Sequence, residues 1–262
     1  MNRIDERFAK VKADGRKALI TFLTVGDPNI EVSEKAIYTM QEEGVDLIEL
    51  GVPFSDPAAD GPVIQRADER ALAQGVDIFK VFELVRKIRN NVEVPMVFLL
   101  YYNVMVQYGI EKFFKRCQET GVDGLIIPDL PYEESDEIKE YTEKYGVYQI
   151  SLVSPTSKDR IKNIAKDAKG FLYCISSLGV TGEKSSFVTN FDEFVGTIKK
   201  YTDVPACVGF GVSNGRQVKE LTKYFDGAIV GSAIVKSIAT GESVEERINN
   251  LREKIKDLKS GL

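Results

Sequence analysis

The chain has 262 residues, with 35 Lys and Arg, 40 Asp and Glu and no His, so its net charge is −5 at neutral pH. The lack of His excludes imidazole-based catalytic triads, His-ligated metals and His proton switches. Acid–base chemistry near neutral pH must therefore use another titratable side chain with a shifted pKa. The net negative charge also predicts that nucleic acid is not a partner.

Short apolar runs alternate with amphipathic segments of helical length. The first predicted helix carries Ile4, Phe8 and Val11 on one face. Eight apolar runs follow and are predicted to be strands: Ala18–Thr24, Leu47–Leu50, Met96–Tyr101, Gly124–Ile127, Tyr148–Val153, Gly170–Ile175, Ala206–Val208 and Ala228–Val230. The predicted helices among them include Ser33–Glu43, Ile78–Arg89, Ile110–Thr120, Ser135–Lys144, Lys158–Ala168, Phe191–Lys200, Arg216–Tyr224 and Val244–Leu258. This alternation predicts a parallel sheet built from βαβ units.

The number of these units predicts the fold class. Eight units with no linker and no change of composition favour one α/β domain over residues 1–262, a (β/α)8 TIM barrel. The N-terminal helix is expected to cover the bottom of the barrel, and a short extra helix is expected after strand eight. A doubly wound open sheet is the alternative, but the sequence has no G-x-G-x-x-G turn after the first strand.

Cysteine use and hydropathy predict the compartment. Cys117, Cys174 and Cys207 are far apart and form no C-x-x-C, so neither a disulfide framework nor a metal site is expected. The N-terminus lacks the apolar segment of a signal peptide, and the most apolar stretch, Val94–Tyr102, is too short to cross a bilayer. We therefore expect a cytoplasmic protein without a membrane partner.

The second apolar run contains a carboxylate. Alternation along a strand places Glu49 on the same face as Leu47, and Ile48 and Leu50 on the opposite face. Because Ile48 and Leu50 would pack under helices, Glu49 is predicted to point into the barrel mouth. Burial of an unpaired carboxylate raises its pKa, which suits a general acid and base. The alternative is a buried structural ion pair.

A second carboxylate, Asp60, follows in a long loop rich in Pro and Asp. Long loops at the carboxyl ends of barrel strands are usually functional. The alternative for Asp60 is an N-cap of the helix that begins near Pro62, because Asp-Gly-Pro suits a helix start. Asp56-Pro57 in the same loop is also compatible with a simple turn.

Glycines cluster after the last three predicted strands. The clusters are Gly179-Val180-Thr181-Gly182, Gly209-Phe210-Gly211 and Gly231-Ser232. Backbone N–H groups in such loops, together with a short helix N-terminus, form the usual phosphate site of a barrel and require no cation. The clusters therefore predict a phosphorylated small molecule as ligand, although each glycine alone is compatible with an ordinary turn.

These segments resemble the tryptophan synthase α subunit family. The most specific block is Ile48-Glu49-Leu50-Gly51 with Pro53-Phe54-Ser55-Asp56-Pro57 and Ala59-Asp60-Gly61. The likeness continues in order through Gly26-Asp27-Pro28, Pro128-Asp129-Leu130-Pro131, Gly179-Val180-Thr181-Gly182, Gly209-Phe210-Gly211-Val212 and Gly231-Ser232-Ala233. The resemblance spans almost the whole chain.

The resemblance implies a lyase that cleaves indole-3-glycerol phosphate to indole and glyceraldehyde 3-phosphate in tryptophan biosynthesis, without a metal or an organic cofactor. It implies that Glu49 transfers protons, that Asp60 binds the indole N–H, and that Thr181 orients Asp60 when its loop closes. It also implies backbone phosphate contacts and an indole pocket. The phosphate contacts would be Gly182, Gly211, Gly231 and Ser232, and the pocket would be Phe22, Leu99, Tyr101, Ile126, Tyr173 and Phe210.

The same resemblance implies a partner, the tryptophan synthase β subunit in an α2β2 complex. The β subunit would carry pyridoxal phosphate, and Asp56 and Pro57 of this chain would face it. Two differences from the family's pattern occur. The segment Ser176-Ser177-Leu178 lacks the Arg that commonly precedes Gly-Val-Thr-Gly, and Ala58 replaces a larger aliphatic residue.

Three other functions stay open from the residues alone. The chain could be another phosphate-binding barrel enzyme, such as a sugar-phosphate isomerase or an aldolase, although no Lys can be placed at a strand end for a Schiff base. It could release free indole as a stand-alone lyase. It could also be an inactive allosteric partner subunit, which the presence of both Glu49 and Asp60 argues against.

Overall fold

A computed structural model describes residues 2–157, 159–175, 190–209 and 211–262. The strands within these ranges are β1 (Ala18–Thr24), β2 (Leu47–Gly51), β3 (Met96–Leu99), β4 (Gly124–Ile126), β5 (Tyr148–Gln149), β6 (Ser151–Val153), β7 (Leu172–Ile175), β8 (Ala206–Gly209) and β9 (Gly227–Val230). The helices are α1 (Arg3–Ala13), α2 (Ile30–Glu42), α3 (Pro62–Ala73), α4 (Ile78–Ile88), α5 (Tyr102–Tyr108), α6 (Ile110–Thr120), α7 (Asp136–Tyr145), α8 (Ile161–Asp167), α9 (Phe191–Lys199), α10 (Gly215–Leu221), α11 (Ser232–Ala239) and α12 (Val244–Lys259).

The strands form one parallel sheet in the order β5-β4-β3-β2-β1-β9-β8-β7-β6. The two strands at the ends of this order, β5 and β6, are halves of the predicted run Tyr148–Val153 and are separated only by Ile150. The sheet therefore returns to the same segment of chain and closes into a barrel. The predicted (β/α)8 fold is confirmed, and the open doubly wound alternative is wrong.

Side chains alternate between a core inside the barrel and a core between strands and helices. The inner core contains Ile20, Leu47 and Val97, and the residues Ile4 and Phe8 of α1 pack into it. Helix α1 therefore covers the N-terminal end of the barrel, as predicted from its apolar face. The predicted extra helix after the last strand is α11.

Helix α5 was not predicted. The third apolar run ends as a strand at Leu99, and Tyr101 is the N-cap of α5. The Asp129 carboxylate accepts a hydrogen bond from the Tyr102 backbone N–H at 2.9 Å, which satisfies a donor that the short helix cannot. The partner residue comes from the loop after β4, so no local pattern indicates this helix. In the described part of the chain, no helix combines the length and apolar character needed to span a bilayer.

Candidate active site

Strand β2 places Glu49 inside the barrel. Leu47 lies in the inner core, whereas Ile48 and Leu50 pack in the core between strands and helices. Glu49 shares the face of Leu47, and only 1% of its surface is exposed. In the neighbouring strand, Phe22 is in register with Glu49. The alternation read from the sequence therefore gives the correct orientation of this strand.

The Glu49 carboxyl lacks a charged partner among the described residues. Its Oε1 atom is buried and accepts no hydrogen bond within the described ranges, which also contain no ion pair to Glu49. Burial raises the pKa of Glu49 to about 8, because the charged form loses its hydration. The Glu49 charge in turn contributes to a raised pKa of Tyr173. The described surroundings therefore favour a proton-carrying carboxyl over the structural ion pair considered above.

Asp60 is held by an aromatic side chain from the next strand–helix connection. The Tyr101 hydroxyl donates a hydrogen bond to Asp60 Oδ2 at 2.7 Å and accepts one from the Ala59 backbone N–H at 2.9 Å. The ring of Phe54 stacks on Tyr101, with centroids 5.0 Å apart. Helix α3 has Gly61 as its N-cap without a side-chain capping bond, so the N-cap alternative for Asp60 is wrong.

Two opposing effects act on the Asp60 carboxyl. Burial raises its pKa, and the hydrogen bond from Tyr101 lowers it. The net direction is upward from the ordinary value. Tyr101 was predicted only as a wall of the indole pocket, and its hydroxyl contact with a carboxylate distant in sequence was not predicted.

A third acidic side chain, on which the charge of Asp60 acts, was not predicted. Asp68 lies in α3, is 5% exposed and accepts a hydrogen bond from Thr24 Oγ1 at 3.3 Å. A sequence signal for it exists, because Ala67, Asp68 and Ala71 follow the spacing of one helix face and all three are buried. A carboxylate on the apolar face of a helix is unusual enough to mark a candidate site.

The predicted pocket residues lie in two adjoining places. Phe22 belongs to a small cluster beside α3 and α11, and Leu99 packs against both that cluster and the inner core. Ile126 and Tyr173 lie in the inner core itself. Phe210 lies outside the described residues.

The predicted phosphate contacts are described in part. Gly231 is the N-cap of α11, and Ser232 is its first residue, so the first N–H groups of this helix have no acceptor within it. A Cβ on Gly231 would lie 3.7 Å from the Phe22 side chain. Gly211 has a φ of +80°, and a Cβ there would meet no atom of the described residues within 4 Å. Thr181 and Gly182 lie outside the described residues.

The predicted partner segment forms a tight turn. The Ala58 N–H donates to the Asp56 carbonyl at 2.8 Å, and the Asp60 N–H donates to the Pro57 carbonyl at 3.0 Å. Asp56 is exposed and Pro57 is half-buried. The turn alternative is thus correct as geometry, and it leaves the Asp56 side chain on the surface.

Comparison with known proteins matches this arrangement to one family. The family described as tryptophan synthase alpha chain matches residues 8–262. The tryptophan synthase alpha chain of a Thermoanaerobacter species is 48% identical over 262 residues, which is 100% of both chains. A solved structure of Mycobacterium tuberculosis tryptophan synthase superposes with a TM-score of 0.90 at 35% identity, covering 99% of this chain and 98% of that one. The alpha subunit from Campylobacter jejuni gives a TM-score of 0.82 at 40% identity over 90% and 95%. The chain belongs to the tryptophan synthase alpha chain family.

Proposed function

We propose that Glu49 and Asp60 are the catalytic groups of the family's lyase reaction, the cleavage of indole-3-glycerol phosphate to indole and glyceraldehyde 3-phosphate. Family membership supports the reaction itself. The observation that supports the residue roles is the buried Glu49 carboxyl, whose Oε1 atom has no hydrogen-bond partner in the described part of the chain. A site that holds such a group free keeps it available to a substrate.

Glu49 can supply both proton transfers of this cleavage. With a pKa of about 8 it carries a proton at neutral pH. It donates that proton to the indole carbon that bears the side chain, and positive charge develops on the ring. The resulting Glu49 carboxylate then takes the proton of the adjacent glycerol hydroxyl. The carbon–carbon bond breaks, its electron pair returns to the ring, and the hydroxyl carbon becomes the aldehyde, so no net proton is consumed.

Asp60 stabilises the charge that develops on the indole ring. A carboxylate that accepts the indole N–H bond becomes a better acceptor as the ring becomes positive, so it favours the transition state over the ground state. The Tyr101 hydroxyl, 2.7 Å from Asp60 Oδ2, fixes the carboxylate before the substrate arrives. Thr181 is proposed to complete this orientation when the substrate is bound.

The phosphate is proposed to bind to backbone N–H groups of Gly182, Gly211, Gly231 and Ser232. The start of α11 at Ser232 supports this, because a helix N-terminus attracts anions through its free N–H groups and its dipole. No atom of the described residues lies within 4 Å of a Cβ placed on Gly211, which supports close approach of a ligand to the backbone there. The indole ring would then lie against Phe22, Leu99, Tyr101, Ile126, Tyr173 and Phe210.

The tryptophan synthase β subunit is proposed as the partner, in an α2β2 complex in which that subunit alone carries pyridoxal phosphate. The exposed Asp56 and the half-buried Pro57 are proposed to face it. The tight turn at this loop and the stacking of Phe54 on Tyr101 connect the outer surface to Asp60. The charge reversal Asp56→Lys should therefore keep the basal cleavage rate and remove most activation by the partner. Equal loss of both rates would place Asp56 in the active site instead.

We also propose that the chain works in the cytoplasm as one domain over residues 1–262. The family match extends over residues 8–262, which supports a single unit. Cys117, Cys174 and Cys207 are all buried and free, which suits a reducing compartment.

The experiment that tests this function follows both products. The purified chain is mixed with indole-3-glycerol phosphate, with and without a β subunit, while indole and glyceraldehyde 3-phosphate are measured. We expect equal amounts of the two products, and no product from Glu49→Gln on the same timescale. Tight binding of glycerol phosphate without cleavage under either condition would contradict the lyase and support the inactive allosteric subunit.

A further inference from the structure

Asp68 is a buried acid that forms no ion pair with a Lys or Arg in the described part of the chain. It lies in the middle of α3, on the face that packs toward the end of β1, and it is 5% exposed. Its described hydrogen-bond partner is the Thr24 hydroxyl, at 3.3 Å from Oδ1. Thr24 is the last residue of β1 and is itself only 1% exposed. One hydroxyl at this distance does not replace the hydration that an ionised carboxylate loses.

The charges around Asp68 are mainly negative. Asp60 and Asp27 both disfavour its ionised form. The nearby cation Arg70 is bound to Asp27, with distances of 2.6 and 2.9 Å from its guanidinium nitrogens. The other charged residues of α3 and of the packed helix α11 are exposed, namely Arg66, Glu69 and Lys236. Burial and these neighbours raise the pKa of Asp68 to about 8.

We propose that Asp68 is a further positioning residue of the cleavage site, one that shares a single negative charge with Asp60, so that the indole ring meets one carboxylate and one carboxylic acid. This inference rests on the role proposed for Asp60. Two neighbouring carboxyl groups that cannot both ionise titrate as a pair. Both carboxyl groups accept a hydroxyl hydrogen bond, but the bond from Tyr101 to Asp60 is 2.7 Å long and the bond from Thr24 to Asp68 is 3.3 Å long. The shorter bond favours the charge on Asp60 and leaves the proton on Asp68.

This arrangement costs stability, which distinguishes it from a structural role. Between the ordinary Asp pKa of 3.8 and about 8, the folded protein holds a proton on Asp68 that the unfolded chain releases. The free energy of unfolding therefore falls as pH rises through that window and is constant above it. Asn has the same shape as a protonated Asp and does not titrate. Asp68→Asn should therefore remove this decrease in the free energy of unfolding with rising pH.

The first test measures thermal unfolding without substrate from pH 5 to pH 9. We expect Asp68→Asn to raise Tm by roughly 5 °C at pH 8 and by about 1 °C at pH 5. Asp68→Ala should show the same flattened pH dependence at a lower Tm, because it leaves a cavity. The matched control is Glu69→Gln, which removes a carboxylate from the exposed face of the same helix and should leave the pH dependence unchanged. A lower Tm for Asp68→Asn at every pH would show an ionised structural acceptor and overturn the proposal.

The second test measures ligand binding in the Glu49→Gln background, which removes the other buried acid with a pKa near 8. Binding of indole-3-glycerol phosphate should weaken by up to about tenfold per pH unit above pH 8, because the ring must then cover a second negative charge. Glu49→Gln with Asp68→Asn should bind equally well across that range. Glycerol phosphate, which lacks the ring, should show no effect of Asp68→Asn.

The two proposals fail in different ways. If neither the wild type nor Glu49→Gln binds indole-3-glycerol phosphate at any pH, the proposed function fails and this inference fails with it. If it binds the substrate but Asp68→Asn does not alter the pH dependence, Asp60 keeps its role and the charge sharing is overturned.

Discussion

Buried carboxylates occur at both ends of the barrel, and their surroundings differ. At the N-terminal end, Asp46 accepts two hydrogen bonds from Arg16 at 2.7 and 2.8 Å. Asp123 accepts from Arg3 at 2.8 Å and from Arg89 at 3.1 Å. Each of the two carboxylates also accepts a backbone N–H from the adjacent strand. Both acids are therefore ion-paired and hydrogen-bonded to the backbone.

At the C-terminal end, Glu49, Asp60 and Asp68 have no ion pair with a described Lys or Arg. Asp46 is 1% and Asp123 3% exposed, against 1% for Glu49 and 5% for Asp68. The pKa values of Glu49 and Asp68 nevertheless rise to about 8. Burial is nearly the same at the two ends, and the two ends differ in whether a described cation contacts the carboxylate.

The comparison separates two uses of the same chemical group. A buried carboxylate that contacts cations, such as Asp46 or Asp123, joins strands and helices, whereas the buried Glu49 without a described cation favours its protonated form and is proposed to exchange that proton with a substrate. The first use serves stability and the second serves chemistry. This division agrees with the general rule that the C-terminal face of a barrel carries the active site and the N-terminal face carries stability.

The largest expected effect is the loss of turnover in Glu49→Gln. The change keeps the shape and removes the titrating group, so single-turnover indole formation should fall by about 10²–10⁴-fold while substrate still binds. The variant should also be more stable than the wild type at pH 8, since burying the charged form is no longer required. If substrate binding is lost in step with the rate, Glu49 is a ground-state contact. If the variant is less stable than the wild type, Glu49 has a structural role like that of Asp46 and Asp123.

Asp60→Asn should have the next largest effect, a fall in single-turnover rate of about 10²–10³-fold. The amide oxygen still accepts the indole N–H, but the negative charge that stabilises the developing positive ring is gone. Substrate binding should change little. The double variant with Glu49→Gln should lose less than the product of the two single effects, because both groups act on one charge distribution. Independent, multiplicative losses would contradict that shared action.

Asp123→Asn should have the opposite signature, a loss of stability with the chemistry intact. It leaves the largely buried Arg89 without its carboxylate, and we expect about 2–4 kcal/mol of lost stability because Arg3 on the same acid is half-exposed. Denaturant unfolding measures this loss, with the exposed Glu93→Gln at the same end as the control. The rate of the folded variant should stay within about twofold of the wild type. A large fall in the rate of the fully folded variant would contradict the assignment of this carboxylate to stability alone.

The smallest effect is expected from Tyr101→Phe, which keeps the ring stacked on Phe54 and removes the hydroxyl that donates to Asp60. Turnover should fall by about tenfold, the loss of one hydrogen bond to a charged group. Since that bond lowers the pKa of Asp60, its loss should also move the acid limb of the rate profile to higher pH. If the acid limb does not shift, the Tyr101 hydroxyl does not act on Asp60, and Tyr101 contributes only its ring to the proposed indole pocket.

The sequence by itself determined the fold and the candidate carboxylates. Residue alternation in the second strand was enough to orient Glu49, because neighbouring side chains of a strand point to opposite faces, and packing Ile48 and Leu50 under helices turns Glu49 into the barrel. The repeated strand–helix pattern was enough to predict the barrel fold. The apolar face that carries Ile4 and Phe8 was enough to predict where α1 packs. These features depend on local periodicity, which a sequence records directly.

Only the tertiary structure decided which acids are paired. Whether Asp123 meets Arg3 and Arg89, or Asp68 meets Thr24, depends on residues 120, 34 and 44 positions away along the chain. The pKa of a buried carboxyl depends on such neighbours, because Coulomb interactions act through space. The chain order of acidic residues therefore cannot distinguish a structural carboxylate from a catalytic one, and the closed barrel makes the distinction by bringing a cation to some of them, such as Asp46 and Asp123, and not to Glu49 or Asp68 among the described residues.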